Sequence, residues 1–199
     1  MRIARLAAIT VALICLAPLT QADIITYHAA LSGPAEAPPN ASPGTGFVTV
    51  DYDSIAHTLL ISANWSGLVG NTTAAHIHCC TPTAFSPTAI GVAVTPTTLP
   101  GFPVGVTSGT YTSPLLDLTL AATFTGGPTG FVTNFAGGVL ADAEEALVDG
   151  FNSHRAYFNI HSTRFPGGEI RGFLVPEPGT LVLLALGLAG LGLSRRQRS

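Results

Sequence analysis

The chain has 199 residues, eight arginines and no lysine against 11 acidic residues, for a formal charge of −3. Five arginines lie in the terminal segments, so residues 23–178 carry three arginines against all 11 acidic residues, a net −8. Such a surface excludes nucleic acid as a partner, and these 156 residues make one domain with a core of its own. The first 22 residues read as a secretion signal. Arg2 and Arg5 precede an apolar run at 6–19, followed by Thr20-Gln21-Ala22, which has small residues where signal peptidase cuts. The run is shorter than the roughly 20 residues that span a bilayer, so cleavage after Ala22 is expected rather than anchoring. A lipoprotein cut at Cys15 is disfavoured by Ile14, where a small residue is needed.

Residues 23–175 alternate short apolar runs with Gly, Pro and Thr turns, as all-β domains do. Strands are expected at 24–31, 46–52, 58–65, 74–79, 89–94, 105–112, 156–162 and 168–174. In Phe47-Val48-Thr49-Val50-Asp51-Tyr52, and again from Leu59 to Trp65, the alternation gives one buried and one wet face. Pro34, Pro38 and Pro39 lack ladder N–H groups, which makes 33–40 an ordered loop or edge crossing. Residues 81–104 and 125–138, rich in Thr, Pro and Gly, read as long surface loops. One helix is expected at 140–148, where Leu140, Ala143, Glu144, Leu147 and Val148 recur at helical spacing and Gly150 follows as a stop. The expected fold is an all-β Greek-key or immunoglobulin-like β-sandwich with one short helix.

The C-terminus reads Val175-Pro176-Glu177-Pro178-Gly179, then an apolar stretch at 180–193, then Ser194-Arg195-Arg196-Gln197-Arg198-Ser199. The prolines break any preceding element, and the arginines resist translocation, so a short apolar helix would park in the membrane with the domain outside. This order resembles the PEP-CTERM sorting signal. The resemblance implies that an exosortase-type enzyme processes the chain near Pro176, Glu177 and Pro178, in bacteria that make exopolysaccharide.

Of six histidines, three fall in patterned places: His76-Ile77-His78 on one strand and His161 in Tyr157-Phe158-Asn159-Ile160-His161 on another. Strand residues i and i+2 share a face about 6.6 Å apart, so His76 and His78 point together. With His161 they can converge on one copper or zinc ion. The alternative is that the imidazoles bond backbone carbonyls and carboxylates and stitch loops to the sheet. Glu169 either joins such a site or pairs with Arg171, which shares its face if that strand is regular. Cys79 and Cys80 are open to three states: a vicinal disulfide, free thiols or a thiolate lent to a metal. His28, His57 and His154 sit at strand ends or in loops and receive no role. No nucleophile elbow, phosphate-cradling loop or zinc-helix motif occurs, so hydrolase and nucleotide functions lack a starting point.

Five segments occur in order: Leu31-Ser32-Gly33-Pro34-Ala35-Glu36-Ala37-Pro38-Pro39, Trp65-Ser66-Gly67-Leu68, Ala75-His76-Ile77-His78, Tyr157-Phe158-Asn159-Ile160-His161-Ser162 and Pro166-Gly167-Gly168-Glu169-Ile170-Arg171-Gly172. Together they resemble the CHRD domain, a module named from the secreted protein chordin, over about residues 25–174. That resemblance implies a secreted module without an agreed enzymatic activity. A more distant likeness is to copper/zinc superoxide dismutases, Greek-key sandwiches in which a His-x-His and a late-strand histidine hold copper. It implies His76, His78 and His161 as a copper set; the zinc-loop histidines have no counterparts.

The expected organisation is thus a signal peptide at 1–22, a CHRD domain at 23–175 and a PEP-CTERM tail at 176–199. The expected role is a non-enzymatic structural or binding module at the cell surface or in the extracellular matrix. Signal peptidase and an exosortase-type enzyme act on it, the membrane holds it transiently, and exopolysaccharide or another envelope protein is its neighbour. The alternative is a copper- or zinc-binding protein using the three histidines.

Overall fold

The computed structural model describes residues 24–177. The signal segment with Cys15 and Ala22, and the tail from Pro178 onward, lie outside the described residues. Ten strands form: β1 Ile24–Ser32, β2 Thr45–Asp53, β3 Thr58–Ser66, β4 Thr72–His78, β5 Val92–Val94, β6 Gly109–Thr112, β7 Leu116–Asp117, β8 Tyr157–Ser162, β9 Ile170–Phe173 and β10 Val175–Pro176. Every ladder is antiparallel, and the strand order is β5-β4-β8-β9-β1-β2-β3-β6, with β10 added to β1 and β7 to β3. The all-β expectation holds, its two layers being halves of one curled sheet.

Local chemistry explains the first half. Asp53 Oδ1 accepts the N–H groups of Ile55 and Ala56 at 2.9 and 2.8 Å, shaping the turn between β2 and β3. Pairing then runs unbroken from Asp53↔Thr58 to Thr45↔Ser66 on one side of β2, and from Ile24↔Asp53 to Ser32↔Thr45 on the other. Tyr27, Ala29, Leu31, Val48, Val50, Tyr52, Leu59, Ile61, Ala63 and Trp65 fill the core from alternate positions. Trp65 stacks on Phe102 with ring centres 5.0 Å apart, well inside that core.

The sheet closes on itself through chain that runs past β4. Leu99 N donates to Ala75 O, Gly105 N to Thr72 O, Val106 O accepts from Thr72 N, and Thr107 O from Leu68 N. The 33–40 segment is ordered, as its prolines imply: Gly33 O accepts from both Glu36 N and Asn40 N, at 3.0 and 3.1 Å.

Several expectations need correction. The helix begins as a 3-10 turn at Leu140–Asp142 and continues as an α-helix over Ala143–Asn152, beyond the expected end at 148. Gly150 lies inside this helix instead of stopping it, because a Cβ there would overlap the Sγ atoms of both Cys79 and Cys80. The chain leaves the helix at Ser153 and at His154, whose φ of 56° is left-handed. Residues 125–138 are not all loop: Phe131–Phe135 forms a one-turn helix, and Phe131 is buried, stacked on Phe124 at 5.8 Å. Finally, Pro176 pairs with Tyr27 in β10 instead of ending all pairing, an edge position where its missing N–H costs nothing.

Candidate metal centre

Strands β4, β8 and β9 form a grid on the outer side of the sheet. The register sets His78 beside Tyr157 and Tyr157 beside Phe173, then His76 beside Asn159 and Asn159 beside Arg171, with Ala74 beside His161. Ile77, Phe158 and Ile160, the alternating residues, are fully buried in the core on the other side. The grid is not wet. The 33–42 segment covers Arg171, whose Nε donates to Ala35 O. Ile90 and Thr97 cover His78 and His76 through the carbonyls described next, and Thr88 O accepts from Arg171 Nη1 at 3.5 Å.

Each of the three predicted imidazoles commits one nitrogen to a backbone carbonyl. His76 Nε2 lies 2.8 Å from Thr97 O, His78 Nδ1 2.7 Å from Ile90 O, and His161 Nδ1 2.8 Å from Pro166 O. A carbonyl only accepts, so each of these nitrogens carries a proton and the other ring nitrogen of a neutral imidazole keeps its lone pair. Those other nitrogens, His76 Nδ1, His78 Nε2 and His161 Nε2, are buried and have no hydrogen-bond partner. Each residue offers a ligand atom, and the three atoms lie within 4.8 Å of one another. Three nitrogens about 2.0–2.1 Å from a tetrahedral ion sit about 3.3 Å apart, so small side-chain rotations close the set.

Burial keeps the rings neutral. It holds His76 below the ordinary histidine range despite the Thr97 carbonyl, and it lowers His161 against the pull of Pro166. Burial also brings His78 down to about 4, opposed by the Ile90 carbonyl and aided by the two neighbouring imidazoles. Neutral imidazoles whose far nitrogens are held by carbonyls have the protonation state and the orienting hydrogen bonds that copper or zinc ligation requires. The residues therefore fit a three-nitrogen metal centre, with His161, the most exposed of the three, on its open side.

The other sequence candidates are placed elsewhere. Cys79 and Cys80 are bonded to each other, packed on Gly150, and lie outside the ligand group. Glu169 neither joins the histidines nor pairs with Arg171. Gly168, with φ of 133°, precedes it, and the regular strand starts only at Ile170, so the expected shared face is lost. Its carboxylate accepts from Ser42 Oγ at 2.6 Å, Val69 N at 2.5 Å and Gly70 N at 3.2 Å. Burial opposes that charge, but these bonds and one from Ser162 hold Glu169 below the usual carboxylate range. Arg171 instead lies over Tyr157, 4.5 Å from the ring centre. Of the remaining histidines, His28 stacks on Phe47, His154 on Phe85, and His57 Nδ1 meets Glu144 at 2.9 Å.

Two residues escaped the sequence reading. Asn159 is buried across the ladder from His76, Glu36 is buried beside Asn159, and each keeps a side-chain oxygen, Oδ1 and Oε1, without a well-formed hydrogen bond. Gly168 touches both, since a Cβ there would overlap Glu36 Oε1 and Asn159 Nδ2. Burial pushes the Glu36 carboxyl up to about 7, against the lowering influence of Arg171, Ala37 N and Asn159. A polar residue between Phe158 and Ile160, on the same face as His161, was the available signal for Asn159. A cavity lined by Tyr52, His57, Glu144 and Asp149 lies elsewhere, against the helix Ala143–Asn152.

Four of the five segments on which the resemblance rested (31–39, 75–78, 157–162 and 166–172) meet here, and the family comparison agrees. The CHRD domain matches residues 27–174, and the PEP-CTERM protein-sorting motif matches residues 174–196. Comparison with curated proteins and with solved structures finds no match. The sorting motif marks a protein exported through the membrane to the cell surface and processed by an exosortase-type system. Among the described residues, no helix is long and apolar enough to cross a membrane. With its family match covering residues 27–174, well over half of the chain, the chain belongs to the CHRD domain family.

Proposed function

We propose that this protein is a non-enzymatic cell-surface binding module whose ligand is a copper or zinc ion held by His76, His78 and His161. One observation carries the reading: three buried ring nitrogens, each left bare by a carbonyl bond at its partner nitrogen, belong to residues whose ligand atoms lie within 4.8 Å of one another. A role limited to stitching loops would satisfy both nitrogens or expose one to water, because a buried unpaired acceptor is costly. Copper and zinc fit neutral imidazole donors, and solvent or a ligand on the His161 side completes the coordination. The extracellular matrix and its exopolysaccharide are the proposed surroundings, supported by the sorting motif alone.

The test is metal analysis of the mature protein recovered from the cell surface. Near-stoichiometric copper or zinc, lost in both His76→Ala and His161→Ala, is expected. Metal-free protein that also fails to take up either ion on dialysis would refute it.

The proposed domain ends, 1–22 and 176–199, carry one refinement. Glu177 N donates to Thr26 O at 2.9 Å, after Val175 and Pro176 have paired with β1. Processing that leaves β10 intact therefore falls after Glu177. The intact mass of the extracellular form should end at or beyond that residue, and an end at Val175 would contradict this.

A further inference from the structure

Any ion held by the three histidines enters a layer without negative ligands. The imidazoles are neutral, and Arg171 already contributes a positive charge to the same grid. Glu169, the nearest carboxylate in sequence, is spent on Ser42, Val69 and Gly70. Glu36 is different. The residue is 4% exposed, its carboxyl accepts a long bond from Ala37 N at 3.4 Å, and its Oε1 and the Asn159 amide both crowd Gly168. The groups that face it are Arg171 from β9, Asn159 and Tyr157 from β8, and its own neighbour Ala37. Asn159 stands directly across the ladder from His76 and interacts with the His78 ring, so Glu36 is one amide removed from the ligands.

We propose that Glu36 is the proton-releasing group of this centre: a divalent cation seated on His76, His78 and His161 converts the Glu36 carboxylic acid to a carboxylate, and the proton leaves to solvent. The inference rests on the metal reading above. Its physical basis is charge balance. A buried carboxyl stays protonated where desolvation outweighs nearby positive charge, and a new double charge beside it reverses that balance. The histidines cannot supply the proton, since each N–H remains bonded to its carbonyl while the bare nitrogen binds. Asn159 acts as a positioning residue: it lies between the Glu36 carboxyl and the His78 ring and pairs across the ladder with His76.

The experiment is calorimetric titration of the mature protein with Zn²⁺ at pH 6.5 in buffers of different ionisation enthalpy. The wild type should release about 0.5–1 proton per ion, and Glu36→Gln should bind Zn²⁺ while releasing less than about a quarter of that. Equal release from both proteins overturns the role of Glu36 and leaves the metal site standing. Failure of the wild type to bind Zn²⁺ removes the metal site, and this inference with it. Infrared difference spectra of the wild type, read without any variant, should show the protonated-carboxyl band disappearing on Zn²⁺ addition; an unchanged band overturns the proposal.

Discussion

The two halves of the sheet solve opposite problems with the same backbone. In β1, β2 and β3, alternate residues face the core and the rest are half-buried or exposed, so polar groups such as Thr49 and Ser62 can be met by water. In β4, β8 and β9 both faces are covered, one by the core and one by loops, so every polar residue on the outer grid must be satisfied or left ready for a ligand. The difference shows where specificity lies in this fold. The first half needs only a pattern, whereas the second needs named residues.

The largest effect that would sharpen the contrast is at Arg171, which is 1% exposed, lies over Tyr157 and Phe173, and donates to Ala35 O. Arg171→Ala should cost about 3–5 kcal/mol in denaturant unfolding, because it strands buried acceptors and the Glu36 carboxyl. A cost under about 1 kcal/mol would mean the outer layer is looser than its burial implies.

Next is a pH effect. Glu36 rises from an ordinary 4.5 to about 7, so the folded protein binds that proton more tightly than the unfolded chain. Its contribution is full below pH 4.5 and is lost as pH rises through 7. In the metal-free protein, Glu36→Gln should therefore gain stability over wild type at pH 8, by on the order of 1–3 kcal/mol, with the gap closing toward pH 5. Thermal melts at the two pH values read this directly, and a gap that widens on acidification has the wrong sign. The smallest effects belong to the wet half: Thr49→Ala and Ser62→Ala should each stay within about 0.5 kcal/mol of wild type. A larger loss at either would show that this face is also covered in solution.

Much of this was legible. The His-x-His spacing alone puts two imidazoles on one face, and the alternation from Phe47 to Tyr52 assigns a buried side without further information. Gly150 misled because a glycine inside a helix and one ending it look alike in sequence; only the Cys79–Cys80 bond packed against it explains the choice. The direction of Glu169 was hidden for a similar reason, since the left-handed Gly168 breaks the two-residue period just before it. The one-turn helix at Phe131–Phe135 has too few residues for a helical period to be visible.

By itself, the chain's order of residues determined the C-terminal sorting motif, the β character and the shared face of His76 and His78, because those properties depend on neighbours a few positions apart. Tertiary structure alone decided that His161 comes within reach of that pair with its Nε2 unpartnered, and that Glu36, from a proline-rich loop, lies buried beside Asn159 and Arg171. Those contacts join residues from opposite ends of the domain. They exist because a sheet covered on both faces leaves buried polar groups no partner except one another, or an ion.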